Sequence, residues 1–302
     1  MWLLIITKLI IRDCMDGFLL VDKPKGMTSL DVCMKLKKSL KLDKCGHSGT
    51  LDPNTTGILV VAVNRATKLF KLINEHDKQY IATIVFGFDS DTLDVDGNIT
   101  NDICMDFSFA ELKEKVAELC LETTQIPPMT SAIKLNGKKL YEYQRKGIEV
   151  EVKPRDIKIY DYEILSDMRI VDDHIEFDIR LDVAKGFYVR SFARDLGILL
   201  GGCAILKELR RTYAGDFNVK DSKKLDCITL DDIKSIDSVF DLPKVEVNDF
   251  IANLVCNGVV LDERQTSLNE PFYVTNKDKR IAIYEPIGQM KYKPILLLKG
   301  DE

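Results

Sequence analysis

The chain has 302 residues, 45% hydrophobic and 30% charged, with a formal net charge of −5 and a pI of about 5.5. This is ordinary for a soluble globular protein, with room for one large domain and a small one. Eight cysteines without a C-x-x-C pair, beside only three histidines, exclude a zinc site and a disulfide framework and fit reduced thiols in a cytoplasmic protein.

Residues Trp2 to Ile11 are apolar but too short to span a bilayer, and lack both a basic start and a small-residue cleavage site. Phe18 to Asp22 reads as a buried strand, stopped by Lys23-Pro24-Lys25-Gly26. Thr28 and Ser29 offer a helix N-cap, with Asp31 in the first turn and Val32, Leu36 and Leu40 at helical spacing.

Lys35, Lys37, Lys38, Lys41 and Lys44 crowd the approach to a loop, Gly46-His47-Ser48-Gly49-Thr50-Leu51-Asp52-Pro53-Asn54-Thr55-Thr56-Gly57. The net charge gives no support to a nucleic-acid partner, yet an acidic protein can still carry a basic face. Three glycines and a proline in the loop break any helix, and Ile58-Leu59-Val60-Val61 then reads as a buried strand. Asp52 precedes a proline that restricts its backbone. A carboxylate fixed on a rigid turn feeding a central strand suits a nucleophile. By spacing alone, an Asp-Pro turn initiator is the simpler account.

Ala66, Leu69, Phe70 and Ile73 predict an amphipathic helix, and Gln79 to Gly87 a strand with Tyr80 near its start. Asp89, Asp91, Asp94 and Asp96 resemble a calcium loop, but no register puts glycine sixth and glutamate twelfth, leaving an acidic turn. Ser108 to Glu111 is a capping box for a helix with Phe109, Leu112, Val116 and Leu119 inward. Lys134, Lys138, Lys139, Arg145, Lys146, Lys153 and Arg155 interleave with Tyr141 and Tyr143. Such a segment offers charge for phosphates and rings for bases, or is an exposed basic helix. Ile175 to Val183 alternates as a strand, and Arg190 stands at a strand-to-helix junction. From about Val245 onward, Phe272–Val274, Arg280–Tyr284 and Lys293–Leu298 suggest a small β-rich domain.

Several of these strings together resemble the bacterial TruB family of tRNA pseudouridine synthases. Gly-His-x-Gly-Thr-Leu-Asp-Pro is similar to its catalytic loop, Lys-Pro-x-Gly-x-Thr-Ser to its N-terminal motif, and Lys78-Gln79-Tyr80 to the motif whose tyrosine stacks on the target base. Gln125 to Gly147 is similar to a thumb insertion that clamps the T arm, with Thr130 in place of a common aromatic residue. Lys185-Gly186-Phe187-Tyr188-Val189-Arg190-Ser191 and Leu206 to Arg211 complete the set, and the C-terminal outline resembles a PUA-type RNA-binding module.

The resemblance implies an α+β pseudouridine synthase fold: a mixed, largely antiparallel sheet with flanking helices and a small C-terminal β-rich PUA-like domain. It implies a catalytic domain over 15–244 with a start at Met15, a thumb at 125–155 and the PUA-like domain over 245–302, leaving residues 1–14 as a non-native or disordered extension, a weak signal peptide being the alternative. Uridine 55 of the tRNA T loop is then flipped out and isomerised to pseudouridine. Asp52 is the expected nucleophile, Arg190 its charge partner, and Tyr80 the base-stacking residue. His47, Tyr188, Leu209 and Lys23 are the expected substrate-binding residues, and the Arg210–Arg211 pair is expected to meet phosphate. The expected protein is a cytoplasmic monomer that needs no metal, cofactor, membrane or protein partner. The competing classes are a protein that only binds or folds RNA, a guide-RNA-dependent relative of the family, and a hydrolase built on Asp52.

Overall fold

The computed structural model describes residues 16–73 and 77–298, so the expectations for residues 1–14 and for a start at Met15 lie outside the described residues. The first apolar run forms β1 (Gly17–Lys23), and Thr28 caps α1 (Ser29–Ser39) with Asp31 in a reciprocal capping box. The glycine-rich loop lies between β2 (Cys45–Ser48) and β3 (Thr56–Val63). Then follow β4 (Asp77–Phe86), the Ser108-capped helix α2 (Phe109–Leu119), a short helix α3 (Leu140–Gln144), β5 (Ile159–Ile164) and β6 (His174–Ala184). Helix α4 (Val189–Leu199) and β7 (Ala204–Ala214) complete the set around the main sheet. No helix among the described residues is long and apolar enough to cross a membrane.

The main sheet runs β5-β6-β4-β7-β3-β1, with Lys223–Lys224 on the outer side of β1. Only β7 against β3 and Lys223–Lys224 against β1 are parallel along this path, so the sheet is mixed and largely antiparallel, as expected.

Alternation along the central strands sorts side chains to two buried faces, which is why the strands read as continuous apolar runs. Leu19, Val21, Leu59 and Val61 join α1, α2 and α4 in one core, through Val32, Leu36, Leu112, Val116, Phe192 and Leu196. Phe18, Leu20, Ile58 and Val60 face the other way, against Ala66, Leu69, Tyr273 and Ile283. The helix expected over Ala66–Ile73 is instead a 3₁₀ segment, Asn64–Leu72. Ala66, Leu69 and Leu72 repeat every third residue toward this core, which suits three residues per turn.

The C-terminal strands β8 (Lys244–Glu246), β9 (Phe272–Asn276), β10 (Lys279–Pro286) and β11 (Tyr292–Leu297) form a separate four-stranded sheet. Its own core holds Phe272, Tyr284 and Tyr292 together with Val255 from α5 (Asp249–Cys256). That helix was not expected from the sequence; Asn248 caps it by accepting from the Ile251 N–H at 2.9 Å.

Residues 125–155 leave the main body and return to it. Thr124–Gln125 pairs with Arg155–Asp156, and a hairpin of Lys134–Leu135 with Lys138–Lys139 leads into α3 between them.

Gly57 is where the sheet is tightest. Its φ is +103°, and a Cβ there would lie 2.1 Å from the Arg211 carbonyl oxygen of β7. Gly57→Ala is expected to destabilise the fold by at least about 3 kcal/mol in urea unfolding. A loss below about 1 kcal/mol would mean that β3 and β7 can separate without cost.

Candidate active site

The backbone of the Asp52 loop is held on both sides of the carboxylate. Leu51 N donates to Ser29 Oγ at 2.9 Å, and Ser29 Oγ donates to Leu51 O at 3.2 Å. On the other side, the Pro53 carbonyl accepts from Lys23 Nζ at 2.8 Å and from Gly26 N at 2.9 Å. The Lys-Pro-x-Gly-x-Thr-Ser string is thus a clamp on the loop. It leaves the Asp52 side chain 45% exposed.

One transverse row of the sheet forms the floor beneath this loop. Register places Lys23 of β1 opposite Gly57 of β3, Gly57 opposite Arg211 of β7, and Arg211 opposite Tyr80 of β4. Directly paired residues share a sheet face, and this is the face covered by helices. Lys23 is fully buried, and its Nζ also donates to Pro24 O at 3.0 Å and Met27 O at 2.5 Å, matching the three N–H donors of an ammonium. Lys23 therefore braces the loop from within the fold.

The Arg210–Arg211 pair expected to meet phosphate is divided between two environments. Arg211 is fully buried; its Nε and Nη2 donate to Ile58 O at 3.0 and 2.8 Å, and Nη2 reaches Gly49 O at 3.0 Å. It thus ties the start of the loop to the strand at its end. Arg210, on the next strand position, is taken up by Asp22 through both Nη groups, at 3.0 and 2.9 Å. Sequence reasoning had no means to separate two adjacent arginines. Strand alternation sends their side chains to different faces.

Arg190 lies in the first turn of α4, with its side chain only 7% exposed. Its Nη2 is 3.0 Å from Asp52 Oδ2, so the two residues paired on sequence grounds do meet. Its Nη groups donate to Thr92 O and Thr130 O, each at 3.1 Å, and to Thr130 Oγ1, while Asp94 Oδ2 stands 3.6 Å from Nη1. Thr92, Asp94 and Thr130 were not expected in the site. Their signal was indirect: an acidic turn without a metal register, and a threonine where an aromatic residue is common.

Of the other expected residues, Tyr80 and Tyr188 lie close enough to feel the Asp52 charge. Tyr80 is buried; burial raises its hydroxyl pKa, and the charge of Arg211 works against that. Tyr188 caps α4, its N–H and C=O gripped by the Gln125 side-chain amide at 3.0 and 3.1 Å; burial raises its hydroxyl as well. Leu209 packs half-buried against the helix-side core that contains Tyr80. His47 lies on β2, where burial and then the nearby Arg211 charge push its imidazole down, favouring the neutral ring. Its Nδ1 is buried and has no hydrogen-bond partner among the described residues. In the excursion, Lys139 Nζ and Arg145 Cζ lie 5.4 and 5.3 Å from the ring centre of Tyr141.

This mixed sheet, with a carboxylate–arginine pair over its middle strands, has the fold of the pseudouridine synthases. The crystal structure of a Cbf5-Nop10-Gar1 complex superposes with a TM-score of 0.66 at 24% identity, covering 96% of this chain and 86% of the matched one. The description "TruB family pseudouridylate synthase (N terminal domain)" matches residues 37–189. The tRNA pseudouridine synthase B of Aster yellows witches'-broom phytoplasma is 38% identical over 290 residues, covering 93% of this chain and 99% of the relative. That of Acholeplasma laidlawii is 39% identical over 281 residues, covering 92% and 98%. The chain belongs to the TruB family of pseudouridylate synthases, and is an isomerase.

Burial lowers the Lys23 amine from its usual 10.5 to about 8, with the Asp52 charge pulling the other way. Between those values the unfolded chain holds this proton more tightly than the folded one. The fold therefore gains stability as pH rises from about 8 through about 10.5, by about 3 kcal/mol at most. Urea unfolding of wild type and Lys23→Met across that window should show this extra gain in wild type alone. Parallel pH slopes in the two proteins would contradict it.

Proposed function

We propose that the protein converts uridine to pseudouridine at position 55 in the T loop of tRNA, with Asp52 as nucleophile. The observation that carries this reading is the Asp52–Arg190 pair at 3.0 Å, set on a loop whose backbone is clamped while its carboxylate stays half open. The choice of tRNA follows the name of the relatives, tRNA pseudouridine synthase B.

In the proposed reaction the bond from C1′ to N1 of the uridine breaks and a bond from C1′ to C5 forms. C5 loses its proton and N1 gains one, so the product is an isomer and the balance needs no cofactor. Arg190 pairs with Asp52 at 3.0 Å and aims its carboxylate. Tyr80 stacks on the base, and Tyr188 and Leu209 line its pocket. His47 assists flipping, which costs a few kcal/mol offset by stacking and backbone contacts. Lys23 acts on substrate through the loop it braces. Residues 125–155 act as a thumb on the T arm, supported by the lysines and the cation-flanked Tyr141 of that segment. Residues 15–244 are the catalytic domain and 245–302 a PUA-like RNA-binding domain. The protein works as a cytoplasmic monomer without a guide RNA or a protein partner.

The test is tritium release from C5-labelled uridine in an unmodified tRNA transcript, with wild type and Asp52→Asn side by side. Release equal to one site per transcript, lost by at least about a thousandfold in the variant, is the expected outcome. Release that survives Asp52→Asn would name the wrong nucleophile. No release from bare transcript, despite binding, would favour a guide-dependent or binding-only protein.

A further inference from the structure

Two cysteines of the described residues meet. Cys33 lies on α1 and Cys45 opens β2, and the Cys45 thiol donates a hydrogen bond to the Cys33 sulfur. Packing puts them there. Cys33 joins Val32 and Leu36 on the part of α1 that enters the helix-side core, and Cys45 packs against the same core while β2 aligns it with Val63 of β3. Both are free thiols, Cys33 buried and Cys45 half-buried, so the pair is partly open to solvent on one side.

Neither thiol takes part in the reaction above, and no cluster of metal-ligating residues forms among the described residues. A thiol sealed in an apolar core is inert, because burial favours the protonated form. This pair escapes that limit. The shared bond, and then burial, push the Cys45 thiol up, while the same bond pulls the Cys33 thiol below its usual range against its own burial. Cys33 is therefore the sulfur that holds a thiolate, and the second sulfur needed for a disulfide is already in contact.

The elements that carry the two thiols both serve the Asp52 loop. Helix α1 opens with Ser29, which holds Leu51 through its N–H and C=O, and β2 carries His47 and runs directly into the loop. A disulfide is only about 2.0 Å long, shorter than any hydrogen bond between two sulfurs. Closing it draws α1 and β2 together beside the loop they hold. A displacement of about 1 Å at a catalytic group costs on the order of a hundredfold in rate.

We propose that Cys33 and Cys45 are a redox modification site: a peroxide oxidises the pair to a reversible disulfide, which lowers activity by shifting the clamp on the Asp52 loop. The effect on activity rests on the proposed function; the disulfide does not. The Cys33 thiolate attacks one peroxide oxygen, the O–O bond breaks, and the departing hydroxide takes a proton to become water. The Cys45 sulfur then displaces the hydroxyl of the Cys33 sulfenic acid, which gives the S–S bond and a second water. Two thiols and one hydrogen peroxide thus become one disulfide and two waters, the sulfurs oxidised and the peroxide reduced. A dithiol reverses the bond by exchange.

The test uses the full chain, first reduced and then treated with hydrogen peroxide. After the remaining thiols are alkylated, digestion without reductant and mass spectrometry should find Cys33 joined to Cys45, and dithiothreitol should release them. Pseudouridine formation on tRNA transcript should fall by at least about tenfold as the cross-link forms, and return with the reductant. Cys33→Ala and Cys45→Ala, made separately so that one misfolded variant does not decide the outcome, should each match wild type when reduced and keep their activity under peroxide. No Cys33–Cys45 cross-link would overturn the site. A cross-link that leaves the rate unchanged, or an equal loss of rate in both variants, would overturn its control of the reaction. A cross-link that forms and reverses in a protein that makes no pseudouridine even when reduced would sink the functional reading alone.

Discussion

A carboxylate can be held still and yet left open to a substrate only if its backbone carries the restraints. Asp52 meets that condition. Leu51 is bound through both N–H and C=O to Ser29, and Pro53 is held through its carbonyl by Lys23 and Gly26. The side chain between them meets Arg190 on one side and solvent on the other. The surrounding architecture follows from that restraint. Helix α1 begins where Ser29 is needed, α4 begins where Arg190 is needed, and the sheet supplies the floor on which both rest.

Two buried cations make the floor, and among the described residues neither forms an ion pair there. Lys23 and Arg211 are both fully buried and both donate to backbone carbonyls of the Asp52 loop or of segments beside it. Burying a charge is costly, and the carbonyl dipoles offset part of that cost without bringing a second carboxylate close to Asp52. The lowered pKa of Lys23 is the visible remainder. Because both cations point at loop backbone, their hydrogen bonds also hold the loop. A neutral side chain at either position would fill the space and lose the restraint.

The far face of the sheet explains why this floor does not yield. Phe18, Leu20, Ile58 and Val60 are sealed by the 3₁₀ segment and by Tyr273 and Ile283 of the C-terminal sheet. The strands that carry Lys23 and Gly57 are therefore packed on both sides. The small β unit thus backs the strands that carry the Asp52 loop.

Much of this was legible in the residues themselves. Apolar runs marked the central strands, Thr28 and Ser108 marked two helix starts, and the glycine-rich string marked the loop, because each depends on neighbours a few positions away. The Asp52–Arg190 pairing was legible only through resemblance, since nothing local joins a loop to a distant helix. Tertiary structure alone decided the rest. Strand register brought Lys23, Gly57, Arg211 and Tyr80 into one row, and strand alternation buried Arg211 while it turned Arg210 to Asp22. Packing of the excursion and of the acidic turn against α4 drew Thr130 and Asp94 to Arg190. Sequence by itself determined the elements and the kinds of chemistry they carry. Long-range pairing determined which polar groups face one another, because hydrogen bonds and charges act at contact distance and register sets those contacts.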